Sequence, residues 1–288
     1  MNRWITGARP RTLPAAVVPV AVGAAAAVGV DVVDGIVWWR VAAALVVSLA
    51  LQIGVNFAND YSDGVRGTDD VRVGPVRLVA TGLASPTAVK RAAMLSFGVA
   101  AIAGLAVAVD TSLWLLAVGV AAIAAGWFYT GGPKPYGYLG LGEVFVFVFF
   151  GLVATAGTTY AAVETVTALS VVMGSAVGSL ACALLVINNL RDIPTDREVG
   201  KRTLAVRLGD SRTRWFYAAL IAGAFAATVG AAAWRPWVLV SLAAIPLAVP
   251  PARRVLGGAS GAQLIPVLGE TGRLQLVWGV AASIGLAL

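Results

Sequence analysis

Apolar residues occur along this chain in long runs, and short polar segments separate one run from the next. A hydrocarbon core about 30 Å thick needs roughly 20 apolar residues in a helix. The runs close to this length are 12–30, 41–59, 87–109, 112–130, 141–161, 167–189, 213–233, 236–251 and 272–288. The pattern therefore predicts an all-α, polytopic membrane protein, with nine transmembrane helices in a single domain over residues 1–288.

The composition agrees with this pattern. Hydrophobic residues make up 59% of the chain and charged residues 12%, and the mean hydropathy is +0.86, which is outside the range of soluble domains. The chain has no histidine, so the commonest general base and histidine-ligated zinc are both excluded. The single cysteine, Cys182, lies in an apolar run, and we expect it to serve in packing.

The basic residues are distributed unevenly between the predicted loops. With a cytoplasmic N-terminus, only Arg40 and Arg235 of the 21 basic residues fall on the outer side, as the positive-inside rule requires. We therefore expect a multi-pass protein of the cell membrane, with its N-terminus and site loops cytoplasmic. The net charge of +7 is explained by topology and by anionic headgroups, so no nucleic-acid partner is expected.

Two clusters of acidic and amide residues end the second and sixth apolar runs. At 100° per residue, Gln52, Asn56, Asp60 and Asp63 fall within about 80° of one helix. The residues Asn188, Asp192 and Asp196 form a similar stripe in the second cluster. Pro194 lies between Asp192 and Asp196, where it removes an amide donor and disfavours helical geometry at the residue before it. This predicts a helix end or kink at Pro194 and places Asp196 on a loop.

The two clusters share a spacing, because Asn56 to Asp60 and Asn188 to Asp192 are each four residues apart. They are separated by four predicted spans, which suggests an internal four-helix repeat over about 12–130 and 141–251. The alternative is that each cluster only caps a helix end. A cap needs one polar residue, so two stripes with the same spacing favour a functional site shared between the helices.

The chemistry of these clusters suits a hard cation and a phosphorylated ligand. Carboxylates with no histidine nearby are typical of Mg²⁺ sites. Basic residues follow each cluster, and together with a metal ion they would neutralise a diphosphate. These residues are Arg66, Arg72, Arg77, Arg191, Arg197, Lys201 and Arg202. The alternative is that they only set the topology.

A third segment, 129–143, is rich in glycine, proline and tyrosine and lies on the predicted cytoplasmic side. Glycine and proline at this density indicate a shaped loop, in which Lys134 and Tyr136 are placed to close over a site. Phenylalanines follow in the fifth apolar run, and they would either line an apolar chamber or serve only in packing.

With these motifs, the chain resembles the UbiA-type superfamily of intramembrane prenyltransferases. Within it, Ala58–Gly64, Gly74–Leu78, Tyr129–Glu143 and Asn188–Asp192 resemble the 1,4-dihydroxy-2-naphthoate polyprenyltransferases of menaquinone synthesis. The resemblance implies a helical bundle with a central cavity open sideways to lipid. It also implies Mg²⁺-assisted transfer of a polyprenyl group from polyprenyl diphosphate to 1,4-dihydroxy-2-naphthoate, with loss of diphosphate and CO₂, giving demethylmenaquinone.

The resemblance also implies roles for individual residues. The Mg²⁺ ligands would be Asp60, Asp63, Asp192 and Asp196, with Asn56 supporting the first pair. Contacts to diphosphate or to the naphthoate carboxylate would come from Arg11, Lys134, Arg191 and Lys201. We assign Tyr136 and Asn188 to substrate binding as well.

Two other functions are consistent with these residues. The first keeps the superfamily and changes the acceptor to 4-hydroxybenzoate, a haem vinyl group, a chlorophyllide or a phosphoribosyl unit. The second is a cation-coupled secondary transporter, in which intramembrane aspartates bind Na⁺ or H⁺. Transporter sites usually lie near the bilayer midplane, whereas both clusters here lie at one face.

Overall fold

The computed structural model describes residues 2–31, 35–68 and 76–288, and its regular secondary structure in these ranges is entirely helical. The α-helices are α1 (Arg3–Ala8), α2 (Pro14–Ala27), α3 (Trp38–Val65), α4 (Pro86–Asp110), α5 (Leu115–Phe128), α6 (Gly142–Val146), α7 (Ala154–Val163), α8 (Ala168–Glu198), α9 (Leu204–Leu208), α10 (Asp210–Ala231), α11 (Ile245–Leu256) and α12 (Leu264–Ala287). A π-helical segment, Phe147–Val153, joins α6 to α7. The all-α prediction is confirmed for these residues.

Every predicted apolar run contains a helix, but the helices are not equally suited to crossing a bilayer. In the described ranges, six continuous helical segments are long and apolar enough, or up to seven if the bent pair Arg3–Thr12 and Pro14–Ala27 is one span. Two runs fall short of this standard. Helix α5 has only 14 residues, and α12 carries Glu270 and Arg273 in its first half. The chain is a multi-pass membrane protein, and helix length and composition leave the count of nine unconfirmed.

Helix α8 lies at the centre of the bundle. Of its most apolar window 72% is buried inside the protein, against 28–39% for the other five long segments. Its start is fixed by a capping box, in which Thr167 and Ser170 bond reciprocally to each other's backbone amides. The apolar core around it includes Leu180, Tyr217 and Trp278. A central helix buried on most sides can hold polar residues away from lipid.

Glycines allow the span that contains the π-helical segment to approach α8 very closely. A Cβ atom added to Gly151 would lie 2.5 Å from the Gly178 Cα and 2.7 Å from the Gly174 carbonyl oxygen. Small residues at such crossings let two membrane helices pack backbone to backbone. The π-helical segment therefore docks directly on the central helix.

Polar residues tie three helices together at the end of the bundle opposite the two acidic clusters. The Arg40 Nε lies 2.6 Å from Asp110 Oδ2, and its Nη1 lies 2.8 Å from Glu164 Oε1. These residues belong to α3, α4 and the end of α7, so the cluster fixes the relative positions of the three helices. Arg40 is one of the two basic residues that the charge distribution places on the outer side.

We expect Gly151→Ala to destabilise the protein, because the added methyl group would collide with the backbone of α8. Overpacking of this kind costs roughly 1–3 kcal/mol. Thermal melting of the purified protein in detergent should show a lower midpoint for Gly151→Ala. The matched control is Gly223→Ala on α10, where a Cβ atom would meet nothing within 4 Å. Equal midpoints for the two variants would contradict the close contact.

Candidate functional site

A cavity of about 1540 Å³ lies inside the bundle and connects both sequence clusters. Its polar end is lined by carboxylates, amides and cations, among them Arg9, Arg11, Asn59, Asp63, Arg77, Arg191, Asp192, Asp196 and Lys201. Its remaining wall is mainly apolar and includes Leu105, Leu116, Phe145, Phe149, Phe150 and Val153. The cavity is therefore suited to an amphiphile with an anionic head and an apolar tail.

Asp63 has several charged and polar partners at the polar end. Its Oδ1 accepts hydrogen bonds from Tyr138 Oη at 2.6 Å and from Lys201 Nζ at 3.1 Å. Arg77 Nη2 lies 3.8 Å from its Oδ2. The side chains of Asp63, Arg77 and Lys201 are all at least 90% buried. Because a buried charge is costly unless it is partnered, these groups stabilise one another.

Two of the partners of Asp63, Lys201 and Tyr138, keep their protons at neutral pH. Burial is the largest single effect on Lys201 and lowers its pKa, but the charges of Asp63 and Asp196 and the other contacts of the ammonium together leave that pKa above its ordinary value. Burial and the charge of Asp63 both raise the pKa of Tyr138. Lys201 is therefore an ammonium, and Tyr138 is a phenol that donates to the carboxylate.

Backbone hydrogen bonds bring these two partners together from distant parts of the sequence. The Lys201 amide donates to the Asp196 carbonyl at 2.8 Å, which turns the chain back at the end of α8. The next amide, of Arg202, donates to the Tyr138 carbonyl at 3.0 Å. This bond joins the loop after α8 to the 129–143 segment. The Lys201 Nζ then lies 4.7 Å from the centre of the Tyr138 ring.

In the second cluster, Asp192 is held by the residue that precedes it. Arg191 Nε donates to Asp192 Oδ1 at 2.7 Å, and Arg191 Nη2 donates to Oδ2 at 2.9 Å. Helix α8 continues through Pro194 to Glu198, so the expectation of a helix end or a loop at Asp196 was wrong. Asp196 stays one turn after Asp192, and both residues line the cavity.

The first cluster is divided between the cavity and the scaffold. Asp60 is fully buried and is not among the residues that line the cavity. Its Oδ2 accepts from the Leu78 amide at 2.8 Å and its Oδ1 from the Val79 amide at 3.0 Å. The four carboxylates predicted to share one site therefore do not all meet, because Asp60 is turned away and serves as an anchor for the 76–79 loop.

Asn56 also acts chiefly as an anchor, although it lines the cavity. Its Nδ2 donates to the Ala8 carbonyl and to Thr12 Oγ1, both at 3.0 Å. These bonds fix the break between α1 and α2 against α3. By contrast, Asn59 lines the cavity beside Asp63, and its Oδ1 accepts from Thr130 Oγ1 at 2.8 Å. Asn59 was absent from the predicted site, yet Asn59 and Asp63 repeat the same four-residue spacing.

The structure separates the remaining predicted site residues into two groups. Lys134 is exposed and is not among the residues that line the cavity, so the structure does not bring it to the site. Tyr136, Asn188, Arg11 and Arg191 do line the cavity. The Tyr136 ring stacks on Phe145 with centroids 3.9 Å apart, and its hydroxyl donates to the Ala125 carbonyl at 2.8 Å.

The donor set at the polar end fits a hard divalent cation. Carboxylate and amide oxygens are the ligands that Mg²⁺ prefers, and here they come from α3 and α8 as Asn59, Asp63, Asp192 and Asp196. In the described part of the chain, no three acidic or thiol side chains gather into one ready-made metal site. The carboxylates are instead engaged by cations, as Asp63 is by Lys201 and Asp192 by Arg191.

A helical membrane bundle whose cavity has a charged end and an apolar interior is suited to an amphiphilic anion. Residues 16–264 match the model of the UbiA prenyltransferase family, so the chain belongs to this family.

Named relatives cover almost the whole chain. It is 52% identical to the 1,4-dihydroxy-2-naphthoate octaprenyltransferase of Mycobacterium tuberculosis, over 99% of this chain and 97% of that protein. It is 36% identical to the protein of the same name from Escherichia coli, over 99% and 95%.

Solved structures show the same fold. A UbiA homologue from Archaeoglobus fulgidus, bound to GPP and Mg²⁺, matches with a TM-score of 0.64 and 14% identity over 100% of both chains. A second structure of a UbiA homologue from this organism, bound to Cd²⁺, matches with a TM-score of 0.62 and 14% identity, over 98% of this chain and 100% of that one.

We expect Asp60→Asn to destabilise the protein. The amide of asparagine would turn one NH₂ group toward the Leu78 or Val79 amide, and a lost hydrogen bond in a buried site costs roughly 1–3 kcal/mol. Thermal melting in detergent should give a lower midpoint for Asp60→Asn than for the wild-type protein. An unchanged midpoint for Asp60→Asn would contradict its role as an anchor.

Proposed function

We propose that this protein transfers a polyprenyl group from polyprenyl diphosphate to 1,4-dihydroxy-2-naphthoate, with release of diphosphate and CO₂. The observation that carries the proposal is the cavity itself, which joins a cationic and carboxylate-lined end to an apolar interior. The relatives from M. tuberculosis and E. coli support the choice of acceptor, because their names specify it and this chain matches them from end to end.

The polar end would receive the diphosphate. Positive charge at the polar end of the cavity comes from Lys201, Arg77 and Arg191. The diphosphate leaving group would gain negative charge there as its bond to the allylic carbon breaks. Asn59, Asp63, Asp192 and Asp196 would hold Mg²⁺, which supplies further neutralisation of the diphosphate when bound. Asp60 is left out of this set because both its oxygens already accept backbone amides.

The apolar interior would hold the prenyl chain and protect the allylic cation from water. Phe145, Phe149 and Phe150 line this part of the cavity, and aromatic faces attract cations. The π-helical segment contains the last two of them, and its extra residue per turn shifts the register of the helix. Exclusion of water matters because water would capture the cation before the naphthoate ring does.

The proposal includes an orientation in the membrane. Nine spans with a cytoplasmic N-terminus would place the ends of α3 and α8, and therefore the polar end of the cavity, at the cytoplasmic face of the cell membrane. The distribution of basic residues supports this arrangement. Polyprenyl diphosphate and the naphthoate would then meet at the boundary between the cytoplasm and the bilayer.

Membranes that contain the protein should form a prenylated, decarboxylated naphthoquinol when supplied with Mg²⁺, 1,4-dihydroxy-2-naphthoate and a polyprenyl diphosphate. Product mass measured by mass spectrometry identifies both substrates. Asp63→Asn should lower the turnover per folded molecule by roughly a hundredfold, about 2.7 kcal/mol in barrier. Turnover with 4-hydroxybenzoate but not with 1,4-dihydroxy-2-naphthoate would identify 4-hydroxybenzoate as the acceptor. Near-normal turnover in Asp63→Asn would refute the role of Asp63 at the site.

Lys201 and Lys134 provide a matched pair of lysines for locating the diphosphate. Lys201 is buried at the polar end of the cavity, whereas Lys134 is exposed and outside it. We expect Lys201→Ala to raise the KM for polyprenyl diphosphate roughly tenfold, about 1.4 kcal/mol, and Lys134→Ala to leave it unchanged. Titrations of purified variants in nanodiscs measure both values. A larger effect of Lys134→Ala would restore the original prediction that this residue closes over the site.

A further inference from the structure

Glu143 is a buried carboxylate that the proposed reaction does not use. It is the second residue of α6 and only 4% exposed. Its Oε1 accepts a hydrogen bond from Asn189 Nδ2 at 2.9 Å. Its Oε2 is buried and has no hydrogen-bond partner in the part of the chain that the structure describes. A carboxylate kept at such cost inside a membrane span usually has a function.

Asn189 connects Glu143 to the cavity. It lies on α8, three residues before Asp192, and it lines the cavity while Glu143 does not. The amide nitrogen of Asn189 is the atom that faces Glu143, because Nδ2 donates to Glu143 Oε1. The carbonyl oxygen Oδ1 is therefore turned away from Glu143, and none of the described residues donates to it.

The neighbouring asparagine shows that this arrangement is specific to position 189. Asn188 also lines the cavity, but its Nδ2 donates to the carbonyl of Leu184 on its own helix at 3.3 Å. Among the described residues, no group on another helix fixes its orientation. Asn189 thus differs from Asn188 in having its amide set by a carboxyl group on α6.

The position of Glu143 is itself fixed by backbone contacts. The Cys182 Sγ donates to the Glu143 carbonyl oxygen at 3.1 Å, which holds the start of α6 against α8. A Cβ atom added to Gly142 would lie 3.2 Å from the Tyr129 ring, so this tyrosine packs directly on the preceding residue. With its backbone held on both sides, Glu143 can impose one orientation on Asn189.

We infer that Glu143 is a positioning residue that fixes the amide of Asn189 with Oδ1 available to the cavity, where Oδ1 accepts a hydrogen bond from a hydroxyl of the aromatic acceptor. The inference rests on the proposed function. A dihydroxynaphthoate has two hydroxyl donors, whereas a prenyl diphosphate offers the protein only acceptor oxygens and apolar surface. The contact therefore selects the acceptor and leaves binding of the diphosphate to the cations.

The first test compares KM values for the two substrates in purified variants. Asn189→Ala and Glu143→Leu should each raise the KM for 1,4-dihydroxy-2-naphthoate roughly tenfold, about 1.4 kcal/mol, with the KM for polyprenyl diphosphate unchanged. Glu143→Gln should stay near wild type, because the glutamine Oε1 can still accept from Asn189. The double variant Glu143→Leu/Asn189→Ala should be no worse than Asn189→Ala, because both changes remove one contact.

The second test uses the two monomethyl ethers of the acceptor as competitive inhibitors. The wild-type protein should bind one of them roughly tenfold more weakly than the other, because methylation removes the hydroxyl that donates to Oδ1. Asn189→Ala should bind both equally. The control is Glu270→Leu, which removes another carboxylate with an unpartnered oxygen, one that is not among the residues lining the cavity.

The outcomes separate this inference from the proposed function. Without wild-type turnover of the dihydroxynaphthoate, both would fall together. Wild-type turnover with an unchanged acceptor KM in Asn189→Ala, or with equal increases in both KM values, would overturn the inference alone. Additive losses in the double variant would do the same. Asn189→Ala removes a cavity-facing group, so it decides the question even if Glu143→Leu fails to fold.

Discussion

A carboxylate buried at the end of a membrane helix needs positive charge or hydrogen-bond donors around it, and Asp63 has both. Its partners come from three separate loops, because Arg77 follows α3, Tyr138 precedes α6 and Lys201 follows α8. The charge of Asp63 thus holds the loops over the polar end of the cavity. Under the proposed function, a substrate diphosphate entering there would compete with Asp63 for Lys201, so the same groups that stabilise the empty site would also receive the anion.

Much of this arrangement follows from the pattern of the sequence. The apolar runs predict the helices, and the repeated spacing predicts that α3 and α8 both present polar residues at the same end of the bundle. The phase of a helix is harder to predict from spacing alone. At 100° per residue, Asn56, Asn59 and Asp63 span about 60°, and Asp60 lies about 40° beyond Asn56. Only the packing of α3 against the 76–79 loop decides that Asp60 faces away from the cavity.

Tertiary contacts also explain two further differences between the sequence-based prediction and the structure. Pro194 predicts a break, yet α8 stays helical to Glu198, where the loop after it is bonded back to the Asp196 carbonyl. Lys134 and Lys201 are both loop lysines in the sequence. The hydrogen bond from the Arg202 amide to the Tyr138 carbonyl brings Lys201 toward the cavity. No such bond holds Lys134 in the described part of the chain, and Lys134 is exposed. Glu143 and Asn189 are 46 residues apart in the sequence, and no local pattern points to their hydrogen bond.

The spacing that first indicates a site occurs twice on α3, and the structure gives each occurrence a different task. Asn56 and Asp60 bind the backbone at Ala8, Leu78 and Val79, so they hold the α1–α2 break and the 76–79 loop. Asn59 and Asp63 lie three residues further on and are rotated by about 60° the other way, which turns them to the cavity. The two held segments carry Arg9 and Arg77, and both arginines line the cavity. The scaffold pair therefore positions two cations that line the same cavity as Asn59 and Asp63, so the two pairs depend on each other although only one of them faces the cavity with its carboxylate.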